Sequence, residues 1–117
     1  MTPVAGRDLE ASVSPNASGT AALLALQVAI HNISNVGVSL RVSTNDHATL
    51  EAFDDLLLSL KLPGKQQPSI VFCRVRYRAR VTDGVLYVCE YDWSATMDPL
   101  AVVEDLVGYM LDAEDQS

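Results

Sequence analysis

The strongest structural signal in the chain is the run Ile70-Val-Phe-Cys-Arg-Val-Arg-Tyr-Arg-Ala-Arg-Val-Thr-Asp-Gly-Val-Leu-Tyr-Val-Cys-Glu-Tyr-Asp-Trp93. β-Branched and aromatic residues dominate it on both sides of Thr82-Asp-Gly84, a tripeptide typical of a tight turn. The run therefore predicts a β-hairpin with strands over 70–81 and 85–93. Its first strand carries an arginine at every second position, which on a regular strand places all of these guanidinium groups on one face. These residues are Arg74, Arg76, Arg78 and Arg80.

The geometry of the hairpin loop decides what lies opposite these arginines. A two-residue turn would make a surface of arginines and aromatic rings, which suits single-stranded nucleic acid or another planar anion. A three-residue loop, bulged at Gly84, would instead place Arg76 against Glu90 and Arg74 against Asp92. It would also leave the other face apolar throughout. Because burial selects the register with one uniformly apolar face, we favour the bulged loop.

The charge of the chain is strongly asymmetric. Its 117 residues sum to −7, and four of the eight basic residues are the hairpin arginines, so the rest of the chain carries −11. Such an acidic body repels nucleic acid and anionic membrane everywhere except at the arginines. The apolar content of 49% is that of a single globular domain, and the longest apolar run, 21–26, is too short to span a bilayer. With no leader pattern at Met1, we expect a cytoplasmic protein with reduced thiols.

The remaining sequence predicts three helices and one further strand. Alanine and leucine enrichment over 20–33 predicts a first helix with apolar residues nearly all round it. Alternation over 36–43 predicts a strand, and Asp98-Pro99 begins a last helix over 99–111. A second helix over 47–61 is indicated by apolar residues at helical spacing, namely Leu50, Phe53, Leu57 and Leu60.

Together these elements predict an α+β two-layer sandwich in the order helix, strand, helix, hairpin, helix. A mainly antiparallel sheet of three or four strands would carry the helices on one face. The chain divides into an irregular N-terminal arm over 1–19, a single domain over 20–113 and an acidic tail over 114–117. Residues 9–13 of the arm can add a short edge strand.

The sequence carries no catalytic or metal-binding signature. Cys73 and Cys89 lack CxxC spacing, and His31 and His47 are far apart, so we expect neither a metal nor another cofactor. His47 follows Asp46 at a helix start, where the aspartate is better interpreted as a cap than as the partner of a general base. The carboxylates of the second hairpin strand would be weak bases, because the arginines opposite them lower their pKa values.

We therefore expect a non-enzymatic protein-interaction module that acts as a homo-oligomer. Its contact surface would be the apolar first helix or the arginine face of the hairpin. The candidate binding residues are Arg74, Arg76, Arg78, Arg80, Leu86 and Val88. An alternative is the binding of an anionic ligand or single-stranded nucleic acid on that face, and an enzyme of unidentified type is a further alternative.

Overall fold

The computed structural model describes residues 4–5, 9–15 and 25–115 and shows a closed antiparallel β-barrel. The strands are β1 Val4–Ala5, β2 Glu10–Pro15, β3 Leu26–Ile33, β4 Gly37–Val42, β5 Asp55–Lys61, β6 Ser69–Val81 and β7 Gly84–Tyr91. Six of them follow one another around the barrel in the order β2, β5, β6, β7, β4 and β3. The barrel closes because β3 pairs with β4 on one side and with β2 on the other. The short β1 pairs with the far end of β3.

Two helices of the described residues lie at the ends of the barrel. The first, α1 Thr44–Leu50, is capped by Ser43, whose hydroxyl accepts a hydrogen bond from the Asp46 N–H at 3.1 Å. It lies at the end of the barrel where β6 and β7 form their hairpin. The second, α2 Pro99–Asp115, packs where β6 begins, near Ser69. Within the described residues, neither helix is long and apolar enough to cross a membrane.

The barrel interior is the hydrophobic core. Side chains alternate between interior and exterior along the strands, as β5 shows with Leu56, Leu58 and Leu60 fully buried. Each such leucine contributes about 1.5–3 kcal/mol relative to an exposed side chain. Tyr87 on β7 is among the largest fully buried side chains, and Leu106 of α2 joins the same core.

Glycine allows a close backbone approach at both ends of the ladder between β4 and β7. A Cβ atom added to Gly37 would lie within 3.0 Å of the Cys89 carbonyl oxygen, and one added to Gly84 would lie equally close to the Val42 carbonyl oxygen. Neither glycine has a positive φ angle, so the reason for glycine here is space between two backbones. The two contacts fix the spacing of these strands.

The barrel shows that the predicted two-layer sandwich and its α+β class were wrong. Where the first helix was predicted, the described part is the strand β3, with Ile30 and Ile33 buried and Gln27 exposed. Residues 20–24 of that predicted helix lie outside the described part of the chain.

The second predicted helix, over 47–61, was also wrong as a single element. It divides into the end of α1 and the strand β5. The hairpin strands and the last helix lie where they were predicted. The strand expected at 9–13 is part of β2, which lies between β3 and β5 instead of at an edge.

Candidate functional site

Two β-bulges shape the outer face of the barrel. Between Ile30 and Asn32 the pairing of β3 with β4 skips His31, and between Val75 and Tyr77 the pairing of β6 with β7 skips Arg76. A bulge adds one residue to one strand and shifts all later side chains by one position. Both extra residues lie beside one row of paired residues that crosses four strands. This outer row consists of Asn32, Ser39, Val88 and Tyr77.

The bulge at Arg76 means that the four arginines do not share a face. Arg74 pairs opposite the exposed Glu90, whereas Arg78 pairs opposite the buried Tyr87. The hairpin loop has two residues, since Val81 pairs with Gly84. The favoured three-residue loop was therefore wrong, and the alternative turn at Asp83-Gly84 does not give the observed pairs either. A single extra residue in mid-strand moves the side chains beyond it to the opposite face of the sheet, and the geometry of the loop does not predict this change.

Arg78 points inward and joins α1 to the barrel. Its guanidinium donates to the carbonyl oxygens of Leu50 at 3.3 Å and Phe53 at 2.5 Å, and its carbon lies 4.6 Å from the centre of the Tyr87 ring. A cation is favourable at the C-terminal end of a helix, where carbonyl groups are unpaired. These contacts give Arg78 a structural role.

Arg74 and Arg76 lie outside and are paired with carboxylates. Arg76 donates to Glu90 at 2.9 Å, and Arg74 donates to Asp55 on β5 at 3.1 Å instead of to the predicted Asp92. The hydrogen bond from Arg76 lowers the pKa of Glu90, and the same bond raises the pKa of Arg76. Arg80 is exposed, and among the described residues it has no ion-pair partner.

A groove of about 720 Å³ runs along the outer row. Its volume lies within the range of about 300–1,000 Å³ that small-molecule sites occupy. Three aromatic side chains, Tyr77, Tyr91 and Trp93, line it. The Arg76–Glu90 ion pair and polar groups of β3 and β4 complete the lining. The polar and apolar residues involved include His31, Asn32, Ser39, Val36, Leu86 and Val88. Tyr77 is 59% exposed, so its ring is available for stacking.

The turn between β3 and β4 holds one end of the groove. The buried Ser34 hydroxyl accepts hydrogen bonds from the N–H groups of Val36 and Gly37, both at 3.2 Å, and donates to the Gly37 carbonyl oxygen. The Asn32 N–H donates to the Ser39 hydroxyl at 3.1 Å. These bonds fix the backbone around the bulge at His31 and so hold the shape of this end of the groove.

The other groups that the sequence offered for chemistry are engaged in structure. His47 Nδ1 lies 2.6 Å from the buried Tyr87 hydroxyl, and its Nε2 lies 3.5 Å from Glu51. Asp92 accepts hydrogen bonds from Ser94 and the Ala95 N–H, and the first of these is the main reason for its lowered pKa.

The two thiols are also unsuited to nucleophilic chemistry. Burial raises the pKa of Cys89 to about 12 and that of Cys73 well above its ordinary value, so both stay protonated and unreactive at neutral pH. Both cysteines are free. In the described residues no three histidine, cysteine or acidic side chains are close enough to hold a metal ion.

The hairpin residues predicted as a binding surface do not lie together. Arg76, Leu86 and Val88 line the groove, whereas Arg78 is half-buried against the end of α1 and Arg74 and Arg80 are outside the groove lining. Sequence reasoning missed the contribution of β3 and β4. The signal that could have found it is the turn Ser34-Asn-Val-Gly37 between two stretches of alternating residues.

Comparison with known proteins supports the fold and no more. No family model matches the chain, and no curated protein shows significant sequence similarity to it. Among solved structures, the chain is similar to the Bacillus subtilis inhibitor of motility, MotI/DgrA, with a TM-score of 0.60 and 17% identity. The match covers 96% of this chain and 52% of the other, so the chain spans about half the length of that protein. At this identity the likeness shows a shared barrel.

Proposed function

We propose that the chain is a non-enzymatic regulatory domain whose outer groove binds a small anion with a planar ring. The observation that carries this proposal is the groove itself, where the exposed ring of Tyr77 and the half-buried ring of Trp93 occur together with the Arg76 guanidinium. Rings provide stacking surfaces for a planar ligand, and a guanidinium provides a bidentate donor for a phosphate or carboxylate. The motility inhibitor with the same fold is, by its name, a regulator, which agrees with a regulatory role.

A ligand that binds Arg76 must replace Glu90, its partner in the folded chain, and this replacement requires little free energy. Both side chains are more than half exposed, at 52% and 56%. An exposed pair of this kind contributes about 0–1 kcal/mol, so a ligand anion can replace Glu90 on Arg76 at small cost. Stacking of a base on an aromatic side chain contributes about 1–3 kcal/mol, which exceeds that cost.

Trp93 gives a direct assay, since it is the only tryptophan and lines the groove. We would titrate the chain with guanosine and adenosine monophosphates, short dinucleotides, labelled oligonucleotides and inorganic phosphate, and follow Trp93 fluorescence. We expect a saturable change with at least one planar anion, and a Kd that rises with salt concentration. Inorganic phosphate alone should bind more weakly because it cannot stack.

Two matched variants separate groove binding from general charge attraction. Arg76→Ala should weaken binding by about 10- to 100-fold, the effect of losing a hydrogen bond to a charged group. Arg80→Ala removes the same charge from an exposed position outside the groove lining and should change Kd by less than about twofold. An equal loss in both variants, or no saturable change with any probe at low salt, would refute the proposal.

A contact with a second copy of the chain on the same face is the second candidate. It is favoured by the exposure of Tyr77 and by Val36, an apolar side chain that is 64% exposed at the end of the groove. Light scattering at micromolar concentration should then show a dimer that Tyr77→Ser disrupts, and a strict monomer would exclude it. The free thiols are in keeping with the cytoplasmic location that we propose for the chain.

A further inference from the structure

The helix α2 has two apolar stripes, and the barrel covers one of them. Val102, Leu106 and Met110 recur every fourth residue and are buried against the barrel. A second stripe recurs at spacings of three and four residues on the neighbouring side of the helix. It consists of Leu100, Val103, Val107 and Leu111.

This second stripe is largely uncovered. Leu100 is 69% exposed and Leu111 is 49% exposed, and Met97 just before the helix is 87% exposed. Val103 and Val107 between them are half-buried. The stripe extends over eleven residue steps, about 17 Å of helix, which is the length of a typical three-turn contact with an amphipathic partner.

The charge around the stripe is of one sign. From residue 97 to the end the chain contains six acidic residues and neither lysine nor arginine. Of the described side chains on α2, Asp105 alone has an ion-pair partner, Lys65 at 3.3 Å. Asp112 lies in the last turns of the helix, where the helix dipole disfavours negative charge. A positively charged partner would offset the unfavourable interaction of Asp112 with the helix dipole.

We propose that the outer stripe of α2 is the docking site for a basic amphipathic segment of another protein. The apolar residues supply the contact area, and the acids beside them select lysine and arginine at its edges. Two α2 helices facing each other would bring like charges together, which disfavours self-association through this stripe. The site is separate from the groove, so the groove would bind a ligand while α2 contacts the regulated protein.

The test uses the full chain and three synthetic peptides of about 14 residues, or four helical turns. The first is an amphipathic leucine and lysine helix, the second replaces its lysines with glutamate, and the third is a scrambled form of the first with equal charge. Fluorescence anisotropy of the labelled peptides gives Kd at about 50 and 300 mM sodium chloride. We expect the amphipathic basic peptide to bind in a salt-dependent way, and at least about tenfold more tightly than the other two.

The double variant Leu100→Ser, Leu111→Ser tests the apolar contribution. Because both side chains are exposed, the urea midpoint should be unchanged, while Kd for the basic peptide rises by about tenfold or more. Arg76→Ala should leave this Kd unchanged, which separates the site from the groove. Equal binding of the scrambled peptide, no effect of the double variant, or a chain dimer that the double variant abolishes would overturn the proposal.

Discussion

Replacing Gly37 with alanine should separate β4 from β7 and destabilise the barrel. The new methyl group would lie within 3.0 Å of the Cys89 carbonyl oxygen, so the strands must move apart locally by about 1 Å to reach a normal contact near 3.5 Å. The adjacent hydrogen bond from the Tyr91 N–H to the Val36 carbonyl oxygen is 3.1 Å long, and such a movement breaks it.

The expected loss follows from the groups left unpaired. Tyr91 is buried, and a buried N–H without a partner costs about 1–3 kcal/mol. The hydrogen bond from the Gly37 N–H to the Ser34 hydroxyl is strained by the same movement, and its loss adds about 1 kcal/mol. We expect a decrease of about 2–4 kcal/mol in the free energy of unfolding, against a total of about 5–15 kcal/mol for a domain.

Urea unfolding followed by Trp93 fluorescence and by circular dichroism measures this change. Gly108→Ala in α2 is the matched control, because a methyl group there meets open space and alanine favours a helix. That variant should be more stable by about 0.5–1 kcal/mol. If Gly37→Ala stays within about 0.5 kcal/mol of the wild type while Gly108→Ala is stabilised, the close approach of β4 and β7 does not constrain this position.

Three further outcomes follow from the site and the core. Glu90→Gln frees Arg76 and removes a negative charge, so the planar anion found by titration should bind about two- to fivefold more tightly. Unchanged or weaker binding would show that Glu90 and the ligand do not compete for Arg76. Arg78→Met removes the donor to the Phe53 carbonyl group and one of two donors to the Leu50 carbonyl group, which keeps the Phe53 N–H. It should lower the free energy of unfolding by about 1–3 kcal/mol in urea, against less than about 0.5 kcal/mol for Arg80→Met. Because the folded state raises the pKa of Cys89 from 9.0 to about 12, the stability that it contributes is present below pH 9 and lost as the pH rises towards 12. Thermal unfolding across this range should show a falling Tm, and Cys89→Ala should show a smaller slope.

The sequence predicted an element correctly where the local residue pattern and the tertiary strand pairing favour the same secondary structure. In the hairpin they agree, since β-branched and aromatic residues alternate on both sides of a recognisable loop. Over 20–33 they conflict, because leucine and alanine favour a helix while the alternation of Leu26, Val28 and Ile30 is that of a strand. Closure of the barrel decides for the strand, since β3 pairs with a strand on both sides.

The second error has a different physical origin. Leu50 and Leu60 belong to a helical stripe when 47–61 is treated as one element, but the same stretch also contains Leu56 and Leu58 in strand alternation. The chain turns at residues 51–54 without glycine or proline, so nothing marks the boundary between α1 and β5. The Phe53 carbonyl of this turn is instead held by Arg78, a contact between residues 25 apart.

Half of the predicted binding residues lie in the groove, and their role in binding stays a prediction. Arg76, Leu86 and Val88 were chosen from the hairpin and line the groove, but its other wall comes from the β3–β4 turn and from Trp93. That wall depends on two bulges and on the pairing of strands distant in sequence. Neither follows from the composition of a single strand.

The bulge at Arg76 also bears on how relatives of this barrel should be recognised. It acts as a one-residue insertion within a strand, so in a related barrel without it the inward and outward positions of the hairpin tip would be exchanged relative to this sequence. The residue that takes the inward position of Arg78 would then lie one position earlier in the sequence of that barrel. An alignment that allows no gap inside β6 would compare interior with exterior residues, and arginine spacing would be a misleading guide. A single gap at Arg76 and another at His31 would keep buried positions of β6 and β3 aligned with buried positions of such a barrel.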